Sequence, residues 1–126
     1  RPFFMDGKVV KGKKRGLGIP TANLKTDGEL MPREGVYATR VEIGGGKFKG
    51  ATNIGCNPTF GKNRLSVETH ILGFRKNIYG KKLRLYFIGR IRGEKRFRNP
   101  KELVRQIRKD IKTAKRIWRR EKPWNL

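Results

Sequence analysis

The sequence predicts a mainly β fold, a small antiparallel barrel or sandwich, with one amphipathic helix at its C-terminal end. Short apolar segments separated by glycine fill the first hundred residues. Two of those segments alternate with period two, and from Pro100 onward the period becomes helical. Several short strands with frequent turn signals are the pattern of a small barrel or sandwich.

The strand candidates are residues 7–11, 35–43, 47–54, 65–72 and 82–91. In the second, Tyr37, Thr39, Val41 and Ile43 share a face. In the fourth, Leu65, Val67, Thr69 and Ile71 share one face, while Ser66, Glu68 and His70 take the other. Gly44-Gly45-Gly46 joins two candidates as a tight hairpin. The helix is expected over 100–120. Asn99 is its cap, Pro100 suits the first turn, and Glu102 completes a capping-box arrangement. Leu103, Ile107, Ile111, Ala114 and Trp118 recur at spacings of three and four, which marks a face packed on something. The expected organisation is a single domain over 1–126, with a barrel in 1–99 and the helix in 100–120.

At 126 residues the chain is the size of one ordinary domain. Its 33 Lys and Arg outnumber 10 Asp and Glu, for a formal net charge of +23. Such a field attracts polyanions, whether nucleic acid, anionic membrane or phosphorylated small molecules. Seven Phe and two Trp argue against disorder. Cys56 is the only cysteine, so no intrachain disulfide forms, and with His70 the only histidine a structural zinc site of those ligands is excluded. The longest wholly apolar run is about four residues, Leu85 to Ile88, against the ~20 of a membrane span. No secretory signal opens the chain, and the expected location is the cytoplasm.

Three segments carry candidate chemistry. Gly12-Lys13-Lys14-Arg15-Gly16-Leu17-Gly18 combines glycines, which let a backbone approach a phosphate, with cations that hold its charge. The run from Gly7 to Lys14 echoes a nucleotide P-loop, but Lys14 stands where Ser or Thr is needed and no helical pattern follows. On composition alone a surface turn is the simpler reading. In Pro20-Thr21-Ala22-Asn23, the Thr hydroxyl and Asn amide lie two apart in an extended segment and project to one side; their oxygens suit a hard cation such as Mg²⁺. A turn held by side-chain-to-backbone bonds is the plainer alternative. Glu68, a carboxylate in a cationic chain, can serve as a general base toward a hydroxyl or sit in a salt bridge.

Taken in order, these residues resemble one family, the riboflavin kinase (flavokinase) domain. The matching stretches are Gly7 to Gly12, Leu17 to Leu24 with its Pro-Thr-Ala-Asn core, Gly35 to Ala38, and Asn53-Ile54-Gly55 with Pro58-Thr59-Phe60. They continue through Val67 to Leu72, Tyr79-Gly80, Ile91-Arg92 with Glu94 and Phe97, and Gln106-Ile107 with Asp110 and Ala114. The resemblance implies a six-stranded antiparallel Greek-key barrel with a C-terminal helix, and ATP-dependent phosphorylation of riboflavin to FMN. It implies Glu68 as catalytic base and Thr21 and Asn23 as handling Mg²⁺ and phosphates. Gly12, Lys13, Lys14, Arg15, Gly16 and Gly18 would cover the nucleotide. Tyr79, Arg92 and Phe97 would join the binding site, the last two on the flavin side. Asn57 departs from the bacterial pattern, which has Arg before Pro-Thr-Phe, and the 12–20 loop is about two residues short.

The opening Arg1-Pro2-Phe3-Phe4 resembles the linker after the adenylyltransferase module of bifunctional enzymes. That module's histidine motif cannot be formed with His70 alone, so this chain is expected to make FMN and not FAD. The competing expectation is a non-enzymatic basic barrel that binds nucleic acid, driven by the net charge. Within the kinase reading, nucleic acid would bind only loosely and electrostatically.

Overall fold

A computed structural model describes residues 3–10, 22–26, 32–57, 64–73, 78–93 and 95–120, with the side chains of 56, 57, 64 and 65 excepted. Six strands precede one helix: β1 (Phe3–Val10), β2 (Ala22–Thr26), β3 (Gly35–Ile43), β4 (Gly46–Asn57), β5 (Arg64–Ile71), β6 (Lys82–Arg92) and α1 (Pro100–Arg120). The strands close a barrel in the order β1-β2-β5-β4-β3-β6, with every neighbouring pair antiparallel. β3, β4 and β5 form a meander and β6 returns beside β3, which is a Greek key.

Alternation places one face of each strand inside. Met5, Val9, Leu24, Tyr37, Val41, Ile54, Val67, Ile71, Leu83, Leu85 and Phe87 fill the interior. Ile43↔Gly46 is the last pair of the β3–β4 hairpin, so its turn is Gly44-Gly45, with φ of 53° and 84°. Two successive positive φ values match the right-handed twist of the strands and favour glycine.

The helix covers the outside of β3 and β6. Ala38, Ala114 and Trp118 form a second cluster there with Leu72, Ile91 and Ile117. Trp118 donates its indole N–H to the Thr39 carbonyl at 3.1 Å. A Cβ at Gly89 would lie 3.1 Å from Ile117 Cγ2, so the glycine lets the helix approach β6 closely. β3 is therefore buried on both faces, against the one-sided strand that Tyr37, Thr39, Val41 and Ile43 predict.

The helix spans the expected 100–120, but the cap differs in one bond. Asn99 Oδ1 accepts from the Glu102 N–H at 3.0 Å, whereas Glu102 Oε2 accepts from the Arg98 N–H at 3.2 Å rather than from Asn99. Burial along the helix concentrates at Asp110, Ala114 and Trp118, while Leu103, Ile107 and Ile111 are half-buried.

Candidate active site

The barrel brings together residues that are far apart in sequence. β2 lies between β1 and β5, with Val10 opposite Asn23 and Asn23 opposite Glu68. β5 also pairs with β4, and there Glu68 stands opposite Asn53. Asn53 in turn faces Val36, and Val36 faces Arg92. Leu24, Val67, Thr69 and Ile54 point into the barrel, so Asn23, Glu68 and Asn53 share its outer surface. Directly opposed residues of an antiparallel pair have Cβ atoms about 4.5–5.5 Å apart. One carboxylate is thus flanked by two amides on adjoining strands, all three half-buried.

The inside of the barrel holds that register. Thr39, Thr52 and Thr69 are fully buried, and their hydroxyls form a ladder of 2.9 Å and 3.0 Å across β3, β4 and β5. Thr52 and Thr69 immediately adjoin Asn53 and Glu68 in sequence and are themselves register partners. Gly50 clears space beside them, since a Cβ there would meet Thr39 Oγ1 at 2.8 Å.

Arg92 lies on the outer face where β6 meets α1, and it is engaged. Its Nε and Nη2 bond Asp110 at 2.9 and 2.8 Å, and its Nη1 donates to the Gly93 carbonyl. Gln106 Nε2 adds a fourth donor atom's contact to the system, bonding Asp110 Oδ1 at 3.0 Å. Arg92 therefore clamps the helix to the barrel. Phe97 is half-buried, with two cations near its ring, Arg92 at 5.7 Å and Lys95 at 5.8 Å from the centroid. Tyr79 is 62% exposed in a turn whose Gly80 N–H bonds the Val9 carbonyl, one residue from the Val10–Asn23 pair.

Gly12, Lys13, Lys14, Arg15, Gly16, Gly18 and Thr21 lie outside the described residues. Of the remaining candidates, Asn23 and Glu68 are adjacent, while Arg92 and Phe97 form a separate group at the helix start. Pattern reading passed over Asn53 as a site residue. Its signal was present as a polar residue on the outward phase of a strand, between the small Ala51 and Gly55.

Mg²⁺, which the family resemblance implies, is tested by the chemistry of the donors. Of the two residues assigned to it, Asn23 offers an amide oxygen, a hard ligand of the kind that Mg²⁺ takes, and Thr21 lies outside the described residues. Among the described residues no group of three or more His, Cys, Asp or Glu could hold a metal.

Comparison with known proteins identifies the family. A family model described as riboflavin kinase (flavokinase) matches residues 1–118. The bifunctional riboflavin kinase/FMN adenylyltransferase of Bacillus subtilis is 38% identical over 124 residues, covering 94% of this chain and 39% of that protein. The chain thus spans about two-fifths of the length of this relative. Among solved structures, riboflavin kinase from Trypanosoma brucei superposes with a TM-score of 0.68 at 29% identity, over 94% of this chain and 78% of that one. A Streptococcus pneumoniae chain described as a macrolide-efflux protein gives a TM-score of 0.85 at 35% identity, over 90% of this chain and 38% of that one. In the present chain no helix among the described residues is long and apolar enough to cross a membrane. A family match that runs from the first residue into the last turn of α1, on a barrel that sets Asn23 against Glu68, has one meaning: the chain belongs to the riboflavin kinase family.

Proposed function

We propose that this chain transfers the γ-phosphoryl group of ATP to the terminal ribityl hydroxyl of riboflavin, giving FMN and ADP. The observation that carries the reading is the pairing of Asn23 with Glu68 on the outer barrel surface of a family member. Phosphoryl transfer requires chiefly positioning and charge neutralisation. Glu68 takes the hydroxyl proton as the substrate oxygen forms its bond to the γ-phosphorus. The bond from that phosphorus to the bridging oxygen breaks, and its electron pair leaves with ADP. The proton on Glu68 then passes to solvent.

The Asn23 amide, one strand away, orients phosphate oxygens and, with Thr21, would hold Mg²⁺. When bound, that ion neutralises charge on the phosphate oxygens. Residues 12–18 supply backbone amides and the cations Lys13, Lys14 and Arg15 to the nucleotide. The flavin ring lies against Phe97 and the first turn of α1, an aromatic surface. The family match favours this reading over a nucleic-acid-binding barrel.

The test is incubation with riboflavin, ATP and Mg²⁺, followed by chromatographic separation of flavins. FMN and ADP in equal amounts, with no FAD, are expected. Intact riboflavin after prolonged incubation with folded protein would overturn the proposal.

A further inference from the structure

Asn53 poses a question that phosphoryl transfer alone does not answer. Its Oδ1 is buried and has no hydrogen-bond partner among the described residues. A buried acceptor left unsatisfied costs about 1–3 kcal/mol, and such groups in native structures call for an explanation. This one sits directly across the strand from Glu68, on the same outer face. Its neighbour on the other side, Val36, is buried and offers no side-chain donor. An ordered water or a bound molecule can supply the missing donor, and the place of Asn53 beside Glu68 favours the bound molecule.

The geometry limits what that donor can be. An amide oxygen accepts and does not donate, so it selects a hydroxyl or an N–H over a phosphate oxygen. Neighbouring strands lie about 4.7–4.9 Å apart. Hydroxyls two carbons apart on an extended polyol span a comparable distance. A polyol whose terminal hydroxyl meets Glu68 therefore presents an internal hydroxyl one strand further on, at Asn53.

We propose that Asn53 Oδ1 accepts a hydrogen bond from an internal hydroxyl of the acceptor substrate's polyol chain, and so selects a polyhydroxylated tail over a single terminal alcohol. The proposal rests on the riboflavin reading above and adds to it a residue that reads the chain rather than the ring or the phosphates. Asn53 orders the tail along the β5–β4 direction, which places the terminal oxygen at the Glu68 carboxylate.

The experiment compares Asn53→Leu, close in shape but without the acceptor, with the unsubstituted chain. Binding is read by quenching of flavin fluorescence with riboflavin and with lumiflavin, which has the same ring but a methyl group in place of the polyol. Riboflavin affinity is expected to fall about tenfold, the worth of one buried hydrogen bond, while lumiflavin affinity is unchanged. Riboflavin KM should rise by a similar factor with a smaller change in kcat. Equal losses for both flavins, or no loss for either, would overturn the assignment. If Asn53→Leu does not fold, Asn53→Ala makes the same comparison, and a cooperative thermal melt checks either variant. The unsubstituted chain separates this proposal from the one beneath it. If that chain neither binds riboflavin nor makes FMN, the kinase reading itself fails; if it does both and the variant matches it, only the role of Asn53 fails.

Discussion

The Arg92–Asp110 clamp gives the most quantitative prediction. The Asp110 side chain is 4% exposed and that of Arg92 is 20% exposed. Asp110 accepts from Arg92 Nε and Nη2 and from Gln106 Nε2, all at 3.1 Å or less. Replacing it by alanine strands a mostly buried guanidinium, whose remaining described bond goes to the Gly93 carbonyl. Breaking a fully buried pair from one side costs about 3–5 kcal/mol. The residual access of Arg92 to water lowers this to roughly 2–4 kcal/mol. For a chain of this size that corresponds to a Tm lower by about 8–15 °C. The assay is thermal unfolding followed by circular dichroism.

A double substitution then separates loss of the charges from loss of packing. Arg92→Met with Asp110→Leu removes both charges together, and it should recover most of the Tm lost by Asp110→Ala. If Asp110→Ala melts within about 2 °C of the unsubstituted protein, or the double variant is as unstable as the single one, the clamp argument is refuted.

Three further outcomes are expected. Glu68→Gln should lower kcat by about 10²–10⁴ with the fold intact, and a near-normal rate would remove Glu68 as general base. Thr52→Val breaks both bonds of the interior hydroxyl ladder and should destabilise by about 1–3 kcal/mol in denaturant titration; an unchanged midpoint would show that the ladder contributes nothing. The Arg84 guanidinium, 2.7 Å away, holds the Asp6 carboxyl below its ordinary value. A depressed folded-state value adds stability above the unfolded pKa of ~4 and loses it as pH falls through the lower folded one. Both groups are largely exposed, so the effect is small. Tm measured on acidification should fall slightly more for the unsubstituted protein than for Asp6→Asn, and parallel curves would contradict this.

How much of this was legible in the sequence depends on whether the cause was local. The helix was legible to the residue, because Ala114 and Trp118 carry its period and Asn99-Pro100 its start. β2 was not among the pattern-based strands. Ala22–Thr26 is five residues long with Leu24 as its one buried residue, and it is a strand because β1 and β5 supply its partners. β1 begins four residues before the expected position, since Phe3 and Phe4, both partly exposed, pair in register with Phe87 and Tyr86. The two-sided burial of β3 was hidden for a similar reason: Ala38 looks like a surface residue until Ala114 and Trp118 of α1 cover it. Asn23 and Glu68 were each visible as chemistry, but no local pattern states that residue 23 lies opposite residue 68. That adjacency came only with the family resemblance, and the position of Asn53 beside them only with the register.

The barrel separates two tasks across the thickness of its wall. A one-residue slip of β5 against β4 would turn Glu68 inward and Thr69 outward. Such a slip would bury a carboxylate among Val41, Ile54 and Leu85, which no pairing available there could offset. It would also break the Thr39–Thr52–Thr69 chain, whose hydroxyls satisfy one another only in the observed register. The interior therefore specifies the pairing through groups that never meet solvent, while the outer wall holds Asn23, Glu68 and Asn53 in a row at strand spacing. Side chains on paired strands of a closed barrel have little freedom to shift relative to one another, which is the condition general-base catalysis sets for the proton-accepting oxygen.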